Sequence, residues 1–293
     1  MASRAGYSRW YEIAAVCLIF VVLAFLLWPS LSGPTDVIPE RSRCMTNLLG
    51  IGMALTLYKG ANKGRWPWIA NVRSDWSAVP TGTNRGRDPR ADPNDAGDRA
   101  ITSLMFLLVR DSQPAKLFVC PGTDDRNEPL AVDEAKALPD EDPPYFWDFS
   151  SHRNVSYSWQ APIWEQGRFV NGLGDDDPNC VIVADRSPGA GASPWNSAAW
   201  DPALTGEALR PHVGPNHGGR RTNFLRADGS VGKSDRPDIG ADQDMIFTAS
   251  GQPDGGSRSA TSVDIRRHLS RRDSFLIGPV GRDAGAAQRV PPK

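Results

Sequence analysis

From Ile13 to Trp28 the chain reads IAAVCLIFVVLAFLLW, with no charge, no glycine and no proline, and no charged residue follows before Asp36. Nothing else in the 293 residues is apolar enough to span a bilayer. A membrane-spanning helix needs about 20 mostly apolar residues at ~1.5 Å rise each. With Trp10 and Tyr11 before it and Pro29 to Pro34 after it, the run reaches that length. Backbone groups in lipid must pair internally, which predicts a helix. Trp10, Tyr11 and Trp28 stand where rings favour the headgroup layer, and Pro29 can end or kink the helix. The stretch reads as a permanent anchor. Two other readings stand beside it. One is a cleaved signal peptide, with Arg4 and Arg9 as its basic region and Ser30, Ser32 and Gly33 as a small-residue exit. The other is a buried core helix, at odds with a run apolar on every face. Arg4 and Arg9 put the N-terminus in the cytoplasm and the bulk of the chain across the inner membrane, in the periplasm.

Charge and cysteines narrow the rest. With 33 basic and 34 acidic residues the net charge is −1, which gives no reason to expect a nucleic-acid partner. Cys17 lies in the apolar run as a small hydrophobe, whereas Cys44, Cys120 and Cys180 fall where disulfides persist. No CxxC and no Cys/His pair at zinc spacing occurs, which argues against a structural zinc site. The 28 glycines and 25 prolines predict many turns and long loops.

Four regions are expected: a cytoplasmic head at 1–9, the span and a linker at 10–34, one extracytoplasmic domain at 35–250, and a polar, partly disordered tail at 251–293. A helix should start near Pro39 or Glu40, with Cys44, Leu48, Ile51, Leu55 and Tyr58 on one core-facing stripe and a close at Gly60, Asn62, Gly64 and Pro67. Residues 69–97 and 122–144 read as loops. Residues 99–110 suit an amphipathic helix with Ile101, Leu104, Leu107 and Leu108 on one side. Leu117–Cys120, Val155–Trp159 and Cys180–Ala184 read as strands. Asp228-Gly229 between two short apolar runs predicts a hairpin with a two-residue type I′ turn.

His217, Asp185 and Asp228 are the candidates for chemistry. A catalytic His217 would need a nucleophile and an orienting acid, for which Ser187 and Asp185 can be nominated, but no Gly-x-Ser-x-Gly frame exists. The preferred reading is structural: Asn216-His217-Gly218-Gly219 as a turn bonding backbone groups, and Asp228 as the first residue of a tight turn. Asp175, Asp176 and Asp177 are calcium candidates, with a solvated turn preferred, and Asp92–Asp98 lacks an acid that a calcium loop needs. No catalytic residue, metal or cofactor is expected.

The motifs arrive in a recognisable order. The apolar helix is followed by Cys44, Asn47-Leu48, Ile51-Gly52, Ala54-Leu55, Tyr58 and Gly64-x-x-Pro67. Then come Phe118-x-Cys120-Pro121, Ser156-Tyr157-Ser158, Ala184-Asp185-Arg186-Ser187-Pro188, and Asn216-His217-Gly218-Gly219 with Asn223, Ala227, Asp228, Gly229 and Val231. This resembles the planctomycete pseudopilin-like family of the DUF1559 type, with its prepilin-type processing-associated H-X9-DG signature, over residues 10 to 250. The resemblance implies a pilin-like α+β fold: an N-terminal transmembrane helix, then an amphipathic helix packed on a small antiparallel sheet. It also implies a non-enzymatic structural or assembly role in a type II secretion or type IV pilus-like system. The implied partners are the lipid bilayer and other pseudopilin-like subunits or secretion-system proteins. Cys44 and Cys120 occupy the family's two cysteine positions, so the resemblance implies a bond between them, with Cys120–Cys180 as the rival pairing. The processing site nearest the family's is Gly6-Tyr-Ser-Arg-Trp-Tyr-Glu12, where the acid comes one place late and Arg9 intrudes. That departure motivates an alternative, an anchored periplasmic binding module for calcium or glycan that does not polymerise.

Overall fold

The structure is a computed structural model that describes residues 10, 12–22, 40–68, 79–82, 88, 90, 99–111, 113–123, 146–161, 163–165, 168–170, 177–188, 200–249 and 274–279. It divides into two compact units, Met1–Pro39 and Glu40–Lys293. In the first, residues 12–22 are helical (α1) and expose Ile13, Val16, Leu18, Ile19 and Phe20. Among the described residues no helix is long and apolar enough to cross a membrane. The second half of the apolar run, the Asp92–Asp98 segment, Asp175 and Asp176 lie outside them.

The second unit is α+β. Helix α2 (Glu40–Ala61) follows from its spacing, since Cys44, Leu48, Ile51, Leu55 and Tyr58 are all at most 3% exposed. It ends at Ala61, within the close the sequence predicts, and Asn62 Nδ2 donates to the Tyr58 carbonyl at 2.8 Å. Gly60 is still helical, and Gly64, at φ 78°, donates its N–H to the Lys59 carbonyl. Helix α3 (Thr102–Arg110) departs from the amphipathic expectation, because every residue from Thr102 to Val109 is buried. Its polar side is covered too. Thr102 Oγ1 meets Thr81 Oγ1, and Phe106 packs edge-on against Phe149, while the Gly82 N–H bonded to Asp148 Oδ2 ties the two covering segments together.

The main sheet has strands β1 (Tyr157–Gln160), β4 (Val181–Asp185), β5 (Thr222–Arg226), β6 (Val231–Ser234) and β7 (Leu276–Ile277), in the order β6-β5-β4-β1-β7 and antiparallel throughout. A separate hairpin joins β2 (Ile163–Glu165) and β3 (Arg168–Val170). Both faces of the central strands are covered, so β1 and β4 are buried at every position. Leu225 meets α2 at Gly52, while its neighbour Phe224 belongs to the second core cluster with Val213, Ile246 and Leu276. The register slips between Val181 and Val183. Across that slip Ile182 and Val183 join the helix side, and Val181 and Ala184 the other.

Three expectations are corrected. Leu117–Cys120 is not a strand: Ala115–Phe118 forms a 3₁₀ turn entered from Pro114, and only Val119 onwards is extended. The hairpin at Asp228-Gly229 exists, but with a three-residue loop. Arg226 N–H bonds the Ser230 carbonyl, Gly229 N–H bonds the Arg226 carbonyl, and only Gly229 has positive φ. That is a type I turn followed by a glycine bulge. The polar tail also begins too early in the sequence reading, because β7 completes the sheet edge beside β1. Ser274 fixes it: its N–H goes to Asp244 Oδ2 at 2.7 Å and its Oγ accepts the Val181 N–H at 2.9 Å. Residues 250–263 and 281–293, expected to be disordered, lie outside the described residues.

His212, on the short helix α4 (Arg210–Val213), is 4% exposed and edge-on to Trp200. Burial pushes its imidazole below the ordinary 6.5. The unfolded chain therefore binds a proton between 6.5 and the lower folded value that the native state does not. Stability should fall as pH drops below 6.5, and His212→Leu should flatten that slope in urea titrations at several pH values.

Candidate functional site

The site is built where β4 ends. Asp185 is 0% exposed and its carboxylate is enclosed by donors. Oδ1 accepts Asn216 Nδ2 at 3.1 Å, and Oδ2 accepts the Asn223 N–H at 2.6 Å and Asn223 Nδ2 at 2.9 Å. His217 Nε2 lies 3.4 Å from Oδ2 and 2.7 Å from Asn223 Nδ2. A buried carboxylate is tolerable only when its lone pairs are occupied in this way.

The other quoted motifs run into the same point. Asn216 also donates from Nδ2 to the Ser156 carbonyl at 2.8 Å, and Ser158 Oγ accepts the Ser187 N–H at 2.7 Å. The Arg186 guanidinium reaches the Val155 carbonyl at 2.7 Å. Thr123 and Asn216 form an isolated antiparallel bridge, and His217 donates its N–H to the Gly122 carbonyl at 2.6 Å. The segment after Pro121 is thereby sewn to the Asn216–Gly219 turn. A disulfide joins Cys44 to Cys120, which are 76 positions apart in sequence, and ties α2 to the same segment. This is the pairing the resemblance implied; Cys180 is a buried free thiol. Asn47 Nδ2 donates to the Val119 carbonyl at 2.9 Å beside it, and the Tyr157 hydroxyl donates to the Cys44 carbonyl at 3.4 Å. Burial pushes the Tyr157 phenol well above its ordinary range, and the Asp185 charge adds to the shift. Tyr58 lies on the buried stripe of α2, where burial likewise raises its phenol against the opposing pull of Arg90.

Asp228 and Gly229 stand apart. They form the exposed hairpin tip, where Asp228 Oδ1 accepts the Ser230 N–H at 2.8 Å; the Ser230 hydroxyl, and then that N–H, hold its carboxyl below the ordinary range. Asp177 caps a turn, accepting the Asn179 N–H. Among the described residues the hydrogen bond of Ser187 is from its N–H to Ser158 Oγ, and those of the His217 ring go to Asn223 and Cys120, so the structure does not pair Ser187 with His217. The sulfur that His217 does meet, Cys120 Sγ at 3.5 Å, is half of a disulfide.

Comparison with protein-family models, curated proteins and solved structures finds no match to this chain.

The sequence reading missed Asp244 with Ser274, a second buried carboxylate network. Its only sequence signal was one acid directly before the apolar Met245-Ile246-Phe247. Gly214 supports the site from beneath. At φ 93°, a Cβ there would stand 2.1 Å from the Arg186 carbonyl oxygen. Gly214→Ala should cost about 2–3 kcal/mol in urea unfolding, from strained backbone and a contact that cannot give.

Proposed function

We propose that this chain is a non-enzymatic, membrane-anchored structural or assembly subunit of pseudopilin-like type. In this reading the N-terminal helix sits in the inner membrane and the α+β head stands in the periplasm, next to other pseudopilin-like subunits or secretion-system proteins. One observation carries it: Asp185 and His217 are enclosed by Asn216 and Asn223. Asp185 is fully buried and the His217 side chain is 3% exposed, so neither is presented to a substrate. A long helix laid along an antiparallel sheet supports the pilin-like fold. Helix α1 supports the anchor, since exposed Ile, Val, Leu and Phe along one helix are costly in water and stable in lipid.

Mass spectrometry of the native N-terminus, with the chains that co-purify from membranes, tests the assembly role. A methylated chain starting at Tyr7, in complex with related subunits, is the expected result. An intact Met1 on a protein that stays solitary would favour the anchored binding module instead.

A further inference from the structure

Helix α2 carries a second apolar stripe, on its outer side. Among the described residues of the second unit, the large apolar side chains that stand exposed are Leu49, Met53 and Leu57, at 46%, 62% and 64%. They are spaced four apart, so they form one ridge, on the side of the helix away from the buried Cys44, Leu48, Ile51, Leu55 and Tyr58. Thr46 and Thr56 are exposed beside them. From Cys44 to Tyr58 the helix carries no charge. The outer face of a helix packed on one side is ordinarily charged or polar.

The charges begin where the ridge ends, and they have one sign. Segment 41–68 holds Arg41, Arg43, Lys59, Lys63 and Arg65 and no acid. Arg43 is exposed before the ridge, and Lys63 and Arg65 are exposed after it. A Cβ at Gly50 would stand 3.2 Å from Leu117 Cδ2, so Leu117, with the exposed Lys116 beside it in the chain, packs along one flank. On the other flank Lys59 stands over the Trp66 ring at 4.4 Å, and the hairpin tip with Asp228 lines a small cavity with Thr56 and Trp66.

An apolar ridge framed by cations suits the boundary between anionic headgroups and acyl chains, where the ridge leaves water and the cations meet phosphate. A second copy of the chain fits less well. Laid along this face in either direction it would set cations against cations, and three side chains fall far short of the ~20–30 residues a side of a stable protein interface. We infer that the outer face of α2 is a lipid-contact surface for an anionic bilayer. Leu49, Met53 and Leu57 rest at the headgroup–acyl boundary, and Arg43, Lys63 and Arg65 lie on the headgroup phosphates. The inference rests on the anchored reading only for the nearness of a bilayer; the contact is made by α2 itself.

The test uses the full chain with Cys17→Ser and Cys180→Ser, the Cys44–Cys120 bond left intact, and Met53→Cys carrying an environment-sensitive fluorophore. It is reconstituted into phosphatidylcholine vesicles with and without phosphatidylglycerol, each also prepared with acyl-brominated lipid as a quencher. In the anionic vesicles the label should shift to the blue and be quenched, and in phosphatidylcholine alone it should stay in water. The same label at Ala208→Cys, exposed next to Leu209 of the second core cluster, should respond to neither lipid. Arg43→Gln with Lys63→Gln should move the position-53 label towards water by roughly 20–30-fold in the equilibrium between bound and free faces, about fivefold per cation. No shift in either vesicle, equal shifts in both, or a shift unmoved by the charge variant would overturn the proposal. So would position-53 thiols that crosslink between copies, which would make the face an interface between subunits. Carbonate washing after the fluorescence is read reports on the anchor separately. A chain that resists the wash while its label stays in water keeps the anchor and loses this inference.

Discussion

Replacing Cys44 and Cys120 by alanine should lower the stability of the head by about 4–5 kcal/mol, the largest effect expected of any change in the chain. The bond spans 76 positions, and in the chain-entropy description a loop of that length carries roughly that much of the unfolded state's freedom. For a domain of this size the loss corresponds to a fall in Tm of about 10–18 °C. Thermal unfolding followed by near-ultraviolet circular dichroism, with and without a reductant, measures it. Reductant should lower the Tm of the native protein towards that of the double variant and leave the variant itself unmoved.

The second large effect belongs to Asp185. Asp185→Ala removes the acceptor for Asn216 Nδ2, for the Asn223 N–H and for Asn223 Nδ2 at once. Buried donors left without acceptors cost about 1–3 kcal/mol each and do not add fully, so a loss of about 3–5 kcal/mol is expected. Asp185→Asn should lose less, since one oxygen remains to accept. Asp228→Ala is the informative contrast. It removes an acid from the same signature, but on an exposed hairpin tip, and should cost under ~1 kcal/mol. Urea unfolding of the three variants separates the clasp from the turn. Equal losses at 185 and 228 would mean that the two acids share one role, which the geometry denies.

The contrast shows what was legible in the sequence. The burial of Cys44, Leu48, Ile51, Leu55 and Tyr58 follows from a 3.6-residue period, and the strand around Val181–Ala184 from an unbroken β-branched run between turn signals. Both are local patterns. Helix α3 was misjudged because polar Thr102 and Ser103 mark a wet face only when nothing lies over them, and distant segments do. The Leu117–Cys120 segment has strand-like residues, yet Pro114 and the disulfide set its path. Strand β7 was hidden in a polar stretch, because Leu276 and Ile277 lie in a buried run, 274–279, too short to outweigh the arginines around it.

The candidate site divides in the same way. Asp185, His217 and Asn223 stand out as motif residues, but their meeting with Cys120 depends on the strand order and the bridge at Thr123–Asn216, which no spacing reports. Asp244 and Ser274, 30 positions apart, formed no motif and were not seen.

Alkaline carbonate extraction of native membranes, combined with protease treatment of intact spheroplasts, bears most directly on the proposed role. The account predicts that the chain stays with the carbonate-washed membrane and that the head is cleaved by protease added from outside. Recovery of the chain in the carbonate supernatant, or a head that protease reaches only after the cells are lysed, would contradict it.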